Sequence, residues 1–373
     1  MQVLYENLLL LQWQQVLMWV IGGILIYLAI RKDMEPTLLL PMGFGAILVN
    51  LPMSGAVTQI HEGLAEIGVI DLLFDAGIAN ELFPLLLFVG IGAMIDFCPL
   101  LTNPKLLLFG AAAQFGIFFT LCVATLLGFD MHDAASIAII GAADGPTSIF
   151  VANYLKSNYI GPIIVAAYSY MALVPIVQPP IIRAITTKEE RRIRMPYEQN
   201  RISKRTRILF PIIITVITGL IAPRSVALIG FLMFGNLIRE CGVLDNLSET
   251  AQKVLANLIT LFLGITIAAR MQAEAFLNLQ TLMILGLGLV AFIFDTIGGV
   301  LFAKLLNLFS KNKINPMIGA AGISAFPMSA RVVHKMGLAE DPQNFLLMHS
   351  TGANVSGQIA SVLAGGLILT FVA

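Results

Sequence analysis

An aspartate lies in the middle of an apolar stretch of this chain. Residues 136–150 read SIAIIGAADGPTSIF, so Asp144 precedes a Gly-Pro pair in a stretch otherwise suited to lipid. A charge at the centre of a bilayer costs about 2.5–3.5 kcal/mol on insertion scales, and such residues usually line ion or proton pathways. Asp144, with Thr147 as a weaker candidate beside it, is therefore predicted to bind an alkali cation. The alternative is a structural carboxylate that accepts backbone amides at a helix N-terminus.

The last apolar segment carries a row of neutral oxygen ligands. It reads NFLLMHSTGANVSGQIASVLAGG, in which Asn354 is the main candidate and Thr351 and Ser361 are weaker ones. Such oxygens, together with one carboxylate, can coordinate sodium and still release it. Close packing of membrane helices through small residues is the alternative explanation.

A third segment, NPMIGAAGISAFPMSARVVHK, combines neutral oxygens with a cation. Asn315 and Ser324 are predicted sodium ligands. Arg331 presents a planar guanidinium that holds a carboxylate through two hydrogen bonds. It is predicted to seat a small carboxylated substrate that arrives from the cytoplasm, and a positive-inside membrane anchor is the equally weighted alternative.

Two more residues of apolar segments have types that can do chemistry. Tyr170, in AYSYMALVP, is either a proton donor or an aromatic of the membrane interface, and its residue type alone favours the interface. Asp295, in AFIFDTIGG, is either a second ionisable site or a hydrogen-bonding residue between packed helices.

Composition identifies the class of protein. Of 373 residues, 58% are hydrophobic and only 12% are charged, and apolar segments of bilayer length recur along the chain, so an integral membrane protein is expected. The zero net charge argues against a nucleic-acid partner. Three scattered cysteines without a CxxC pair suggest neither a transition-metal site nor a disulfide framework. The sequence contains no Walker A pattern, so direct drive by ATP is not expected.

The elements that must position these residues form two similar halves. Six apolar segments precede a polar linker at 187–207 and six follow it. FVGIGAMIDF matches FLGITIAARM, IGAADGPTS matches IGAAGISAF, and GFGAILVNL matches GFLMFGNL, in order and at offsets of about 174–187 residues. An internal duplication is therefore predicted, with a first membrane repeat at 1–186 and a second at 208–373.

One segment in each half is predicted to be broken. These are 134–155, where Gly145 and Pro146 interrupt the helix, and 315–335, where Gly319 lies at the break. Freed backbone groups cannot face lipid, so broken segments must line a cavity, and two of them point to a site at the midplane.

The basic residues orient the chain in the membrane. Eight Lys or Arg against three Glu in 187–207 predict a cytoplasmic linker. If all twelve segments crossed the membrane, the other basic loops would lie outside the cell. If one segment in each half instead enters and leaves on the same side, all of these loops become cytoplasmic, which the positive-inside rule favours. The predicted fold is therefore an all-α polytopic membrane protein, an inverted repeat of two halves, each with about five transmembrane helices and one broken or re-entrant segment.

Four long motifs resemble a known family. DFCPLLTNPKLLLFGAAAQFGIF, GAADGPTSIFVANYL, NPMIGAAGISAFPMSARVVHKMGL and the last segment are similar to the beta subunit of the biotin-dependent, sodium-translocating oxaloacetate, methylmalonyl-CoA and glutaconyl-CoA decarboxylases. The resemblance implies that this subunit decarboxylates carboxybiotin and exports sodium, with consumption of a proton. Its functional positions match six residues here: Asp144, Tyr170, Asn315, Gly319, Ser324 and Arg331.

The resemblance also implies partners and a location. We expect a carboxyltransferase alpha subunit, a biotin carrier subunit, a small membrane-anchor subunit and a homo-oligomeric arrangement within the complex, in the bacterial inner membrane. Asp144, Tyr170 and Arg331 are the expected catalytic residues, with carboxybiotin bound by Arg331. Asp144, Asn315, Ser324 and Asn354 are the expected sodium ligands. A sodium-coupled secondary carboxylate transporter without covalent chemistry is the alternative.

Overall fold

The computed structural model describes residues 9–61, 64–196 and 202–372, so residues 197–201 of the predicted linker lie outside the described residues. The described part of the first half contains helices and one pair of short antiparallel strands. Its elements are α1 (Trp13–Lys32), α2 (Pro36–Val49), β1 (Gln59–His61), β2 (Leu64–Glu66), α3 (Val69–Phe74), α4 (Leu82–Met94), α5 (Cys98–Thr102), α6 (Leu107–Ala113), α7 (Phe115–Leu126), α8 (Met131–Ala138), α9 (Gly145–Tyr154) and α10 (Ile160–Ile185). A π-helical segment, Asp75–Ala79, precedes α4, and a 3₁₀ turn, Ile139–Ala142, follows α8.

A short helix of the linker and nine further helices complete the described chain. They are α11 (Lys188–Arg191), α12 (Lys204–Ile221), α13 (Val226–Cys241), α14 (Asp245–Glu249), α15 (Ala256–Ile267), α16 (Ala273–Phe276), α17 (Leu279–Phe309), α18 (Met317–Ala320), α19 (Met328–Glu340) and α20 (Leu347–Val372). A second π-helical segment, Thr250–Leu255, precedes α15. The prediction of an all-α polytopic chain is confirmed, apart from the two three-residue strands.

The number of helices able to cross a bilayer is six, or seven if a pair bent by 61° counts as one span, among the described residues. The six are Trp13–Lys32, Pro104–Leu126, Ile160–Ile185, Asp245–Arg270, Leu279–Phe309 and Leu347–Val372. Some other apolar segments are too short to span alone, because a helix needs about 20 residues to cross the hydrocarbon core. Pro36–Val49 and Met131–Ala142 are of this kind.

Hydrogen bonds join the two ends of the first broken segment. Asp133, in the first turn of α8, accepts from Ser157 Oγ at 2.7 Å and from the Asn158 backbone amide at 2.9 Å. Its other carboxylate oxygen accepts from Asn158 Nδ2 at 3.0 Å. Ser157 and Asn158 follow α9, so the start of α8 and the end of α9 lie next to each other.

The two ends of the second broken segment are held together by the linker. Asn315, just before α18, donates from Nδ2 to the backbone carbonyls of Arg191 and Ile193, both at 2.9 Å. Beyond α19, Asn344 donates to the same Arg191 carbonyl at 2.9 Å. The described part of the linker therefore lies against both ends of this segment.

Two asparagines join the halves reciprocally. Asn50, at the end of α2, donates to Met271 O and accepts from Ala273 N, at 2.8 and 2.7 Å, beyond the end of α15. Asn236 of α13 donates to Ile95 O at 3.0 Å, at the end of α4. In the sequence match GFGAILVNL/GFLMFGNL these asparagines correspond. Helix α2 packs on α15 and α13 packs on α4, so each half uses the same kind of helix to hold the other.

Candidate functional site

Asp144 is held at the start of α9 by its own local backbone. The 3₁₀ turn Ile139–Ala142 ends at Ala143, which has a left-handed φ of 51°. Asp144 then adopts extended angles as the N-cap of α9, and its Oδ1 accepts weakly from Thr147 N at 3.5 Å. A left-handed non-glycine residue at a break is typical of functional sites, where surrounding structure maintains the strain.

Neutral donors surround the Asp144 carboxylate, which is 4% exposed. Oδ2 accepts from Thr147 Oγ1 at 2.7 Å and from Ser361 Oγ of α20 at 3.1 Å. None of the six ion pairs found in the described parts of the chain includes Asp144. Two weak candidates from the sequence, Thr147 and Ser361, thus contact Asp144 directly, and a buried carboxylate without a charged partner is a fit for an exchangeable cation.

The two broken segments meet beside Asp144. Ser324 N, between α18 and α19, donates to Ala142 O at 3.1 Å. Ser324 Oγ donates to Gly357 O of α20 at 2.9 Å, and Asn354 Nδ2 donates to Ile323 O at 2.6 Å. These contacts bring both breaks and α20 together, and the binding of sodium there stays a prediction.

Three buried polar atoms at this junction have no hydrogen-bond partner among the described residues: Asn354 Oδ1, Gln358 Oε1 and the Tyr168 hydroxyl. The nitrogen of each amide is used, since Asn354 Nδ2 donates to Ile323 O and Gln358 Nε2 to Ser324 O. A buried unpaired polar atom costs roughly 1–3 kcal/mol, so it calls for an explanation such as an ion or a water. Both amide oxygens are suited to a sodium ion.

A cavity of about 210 Å³ reaches Asp144, and we name it the Asp144 cavity. The buried part of its lining includes Asp144, Tyr168, Ser324 and Gln358. The half-buried or exposed part of its lining includes residues of different helices, Glu35, Thr37, Gln252, Asn257 and Thr260. The buried carboxylate thus has a partly polar route away from it.

A second cavity, of about 430 Å³, contains Arg331, and we name it the Arg331 cavity. Arg183 of α10 and Lys335 of α19 also line it, and Asp33 is the only acid among the described residues of its lining. Arg331 is exposed. Three cations around one cavity suit an anionic substrate that enters from outside the helix bundle.

The structure separates the two neighbouring tyrosines of AYSYMALVP. Tyr168 lines the Asp144 cavity, and its ring lies against Gly145 so closely that a Cβ there would collide with it. The Tyr170 hydroxyl instead donates to Leu285 O of α17. Residues two apart in a helix point about 200° apart, so only one of the two can face Asp144. The sequence analysis selected Tyr170; helical phase relative to Asp144 was not visible from the sequence.

Asn315 is also apart from Asp144. Its Nδ2 binds the linker, and its Oδ1 accepts from Met317 N at 3.1 Å. In this conformation the Asn315 amide is therefore committed to the linker and to α18, and the structure does not bring it to the other predicted sodium ligands.

The remaining predicted residues have these places. Thr351 is half-buried, one turn before Asn354 on α20. Pro146 lies in the first turn of α9, where a missing amide costs nothing, and lines the Asp144 cavity. Gly319 packs backbone to backbone against Gly299 of α17, with no room for a side chain on either. Gly319 therefore serves a helix crossing as well as the break.

Asp295 is fully buried at another place. Its Oδ1 accepts from Ile117 N at 3.2 Å, near the start of α7, and its Oδ2 has no partner among the residues described. A Cβ on Gly141 would lie 2.7 Å from that Oδ2, so Asp295 lies against the 3₁₀ turn that precedes Asp144. This contact fits the alternative in which Asp295 is a hydrogen-bonding residue between packed helices.

Comparison with known proteins agrees with the resemblance. The family model described as Na+-transporting oxaloacetate decarboxylase beta subunit matches residues 14–372. Methylmalonyl-CoA decarboxylase subunit beta of Propionigenium modestum is 50% identical over 372 residues, which cover 95% of this chain and 94% of the relative. Glutaconyl-CoA decarboxylase subunit beta of Acidaminococcus fermentans is 49% identical over 360 residues, covering 96% and 94%. A probable oxaloacetate decarboxylase beta chain of Vibrio cholerae is 44% identical over 417 residues, covering 97% and 96%.

Each match extends along nearly the full length of this chain and of the relative. The six apolar spans agree with membership of a membrane-transporter family. The chain is a multi-pass protein of the bacterial inner membrane and the membrane subunit of a decarboxylase-coupled sodium pump. It belongs to the family of Na+-transporting oxaloacetate decarboxylase beta subunits.

Proposed function

We propose that this chain decarboxylates carboxybiotin and uses the released free energy to export sodium through Asp144. The observation that carries the proposal is the Asp144 carboxylate itself. It is buried, has only neutral donors around it and opens to a cavity. Such a group binds either a sodium ion or a proton, because an ionised acid without a cation is unfavourable inside a membrane.

The proposed sodium ligands are the Asp144 carboxylate, Ser324 Oγ and the unpaired Asn354 Oδ1. The unpaired Gln358 Oε1, which the sequence analysis did not select, is added to this set. Thr147 and Ser361 act as hydrogen-bond donors to Asp144. Asn315, a fourth ligand in the sequence prediction, is proposed to hold the linker in this conformation and to join the site only if α18 moves.

Carboxybiotin is proposed to bind in the Arg331 cavity. Its carboxylate fits the guanidinium of Arg331, and Arg183 and Lys335 add attraction at longer range. In the reaction the carbamate C–N bond breaks, carbon dioxide leaves, and the bonding electron pair stays on the ureido nitrogen, which takes up one proton. Release of carbon dioxide is the exergonic step, while moving one positive charge against 100 mV costs about 2.3 kcal/mol.

Proton exchange is proposed to occur at Asp144 as sodium leaves. Tyr168 lines this cavity, and its hydroxyl has no hydrogen-bond partner among the described residues. The catalytic role that the resemblance gives to Tyr170 stays a prediction, and it requires the Tyr170 hydroxyl to leave Leu285 O.

We propose that the two halves are inverted repeats and that the broken segments are re-entrant hairpins from opposite sides. The hydrogen bonds of Asp133 tie the two ends of one hairpin, and the linker ties the two ends of the other. If the basic linker is cytoplasmic, the second hairpin opens to the cytoplasm and the first to the outside. Movement of these hairpins against the outer helices then gives alternating access.

As a beta subunit the chain works in a multisubunit complex. We propose a carboxyltransferase alpha subunit, a biotin carrier subunit and a small membrane-anchor subunit as partners, and a homo-oligomer of this chain within the complex. In this arrangement the acyl substrate is chosen by the carboxyltransferase, not by this chain.

The test is a single-turnover assay with carboxylated biotin carrier and the purified complex. Sodium-dependent release of carbon dioxide is expected, and Arg331→Ala should raise the carrier concentration needed for half-maximal rate. A sodium-coupled carboxylate transporter, the alternative class, would move a free carboxylate with sodium and leave carboxybiotin intact. That outcome would replace the proposal.

A further inference from the structure

The Asp144 cavity leads to a second carboxylate, Glu35. Glu35 is the N-cap of α2 and follows the basic end of α1 at Arg31 and Lys32. It lines the Asp144 cavity and is half-buried, whereas Asp144 is buried. Its backbone is left-handed, with a φ of 38°, a conformation that costs a non-glycine residue about 1–2 kcal/mol. The chain thus maintains a strained backbone at the point where an acid faces the cavity.

The cavity lining to which Glu35 belongs includes four neutral side chains that carry oxygens. Thr37 follows Glu35 on α2, and Gln252, Asn257 and Thr260 come from the other half of the chain. Gln252 belongs to the π-helical segment Thr250–Leu255, and π-helical turns occur often at functional sites. A single carboxylate among neutral oxygens is suited to a hard, weakly held cation.

Glu35 interacts electrostatically with two residues of the Arg331 cavity. Burial raises the pKa of Glu35 above its ordinary value, the Arg331 charge opposes this, and Asp33 adds to it. Arg331 and Asp33 both line the Arg331 cavity. No ion pair found in the described ranges includes Glu35, so its carboxylate is not fixed to a protein cation.

We propose that Glu35 is the entry site for sodium, a relay carboxylate that binds the ion before it passes along the cavity to Asp144. The inference rests on the proposed function and adds the route of uptake. A carboxylate at a low-dielectric mouth raises the local cation concentration. When an anionic substrate neutralises Arg331, the attraction of Glu35 for sodium increases, and binding of substrate and sodium becomes mutually favourable.

The test is the sodium dependence of decarboxylation by the purified complex, at constant ionic strength kept with choline chloride. Glu35→Gln should raise the sodium concentration for half-maximal rate about tenfold or more, the effect of losing one charge near a cation at intermediate dielectric. The decarboxylation rate at saturating sodium should change by much less than this factor. Glu35→Asp, which keeps the charge, should restore most of the affinity.

Controls separate this role from others. Glu189→Gln removes an exposed linker carboxylate that lines neither cavity and should leave the sodium dependence unchanged. If Glu35 only positions Arg331, Glu35→Gln will change the half-saturating carrier concentration and not that of sodium, which overturns the proposal. If Glu35→Gln folds poorly, Thr37→Val and Asn257→Leu, which change exposed residues of the same cavity lining, should each raise the half-saturating sodium concentration, and unchanged values in both overturn the proposal.

Failure of the relay can be told from failure of the proposed function. If Asp144→Asn is inactive while Glu35→Gln has the parent sodium dependence, only the relay is excluded. If Asp144→Asn keeps sodium-stimulated turnover, the proposed function itself is excluded.

Discussion

Ser361 donates its hydroxyl to Asp144 Oδ2 at 3.1 Å, across 217 positions of sequence. This bond joins the last helix to the cap of α9. Ser361 shares one face of α20 with Asn354 and Gln358, because the three are spaced by four and three residues. A shift of α20 against the first broken segment would therefore change the hydrogen bonding of the acid and the position of two oxygen ligands together.

Ser361→Ala should weaken sodium binding. A hydrogen bond to a charged group contributes roughly 1.5–3 kcal/mol, so the half-saturating sodium concentration for decarboxylation should rise at least roughly tenfold. Ser356→Ala is the matched control, since this buried serine of the same helix donates to Ala353 O and, among the described residues, to no other acceptor. Equal sodium dependence of the two variants would contradict the role of the Ser361 bond.

Gly145→Ala should destabilise the protein. The added methyl group would overlap the ring of Tyr168, which is 1% exposed and has little space to move. Overpacking costs about 1–3 kcal/mol, measurable as a lower thermal midpoint of the detergent-solubilised protein. Gly23→Ala, with nothing within 4 Å of the new atom, is the control. Adding Tyr168→Ala should recover part of the loss, and strict additivity would contradict the proposed contact.

The sequence predicts the site residues best where a polar side chain lies at a break in an apolar helix. Asp144, Ser324, Asn354 and Ser361 were selected because polar atoms at breaks in apolar segments need a reason, and the structure brings these four together. Gln358 was not selected as a ligand. Its sequence signal is its spacing from Asn354, one helical turn away on the same face of α20.

Other placements depended on geometry that one sequence does not contain. Tyr168 and Tyr170 differ only in helical phase relative to a distant residue. Asn315 resembles a ligand by type, but it binds backbone carbonyls of a linker more than 120 positions earlier. Asn50 and Asn236, which make the reciprocal contacts, lie in a motif match that in the sequence indicates only a duplication.

Asn315→Ala and Asn354→Ala should have different effects. Loss of the Asn315 amide frees the carbonyls of Arg191 and Ile193, so trypsin should cleave the linker faster, while half-saturating sodium stays within about twofold. Asn354→Ala should leave the linker protected and raise half-saturating sodium. The reverse pattern would make Asn315 a direct sodium ligand.

An ion pair also holds the linker, because Arg194 Nε donates to Asp341 Oδ2 at 2.6 Å. This ion pair is expected to persist at neutral pH, where cleavage by trypsin is measured. The hydrogen bond from Arg194 holds the pKa of Asp341 below its ordinary value. A lowered pKa means that the contact is present above the ordinary value and is lost only as the pH falls through the lowered one. Cleavage in the parent protein should therefore be constant across the neutral range, and a rise there would contradict the assignment of this ion pair.

Asp295→Asn should be tolerated, whereas Asp295→Leu should not. The amide keeps an oxygen acceptor for Ile117 N, but leucine leaves that buried donor unpaired at a cost of about 1–3 kcal/mol. The readout is the thermal midpoint together with decarboxylation rate. If Asp295→Asn is stable yet inactive, the carboxylate has a role in ion or proton transfer and not only in helix packing.

The most direct test of the account is sodium uptake by proteoliposomes that contain the complete complex with Asp144→Asn, measured together with carbon dioxide release. The account predicts that this variant loses both sodium uptake and sodium-stimulated decarboxylation, while Asp144→Glu keeps part of both. Full sodium uptake by Asp144→Asn at the parent rate would contradict it.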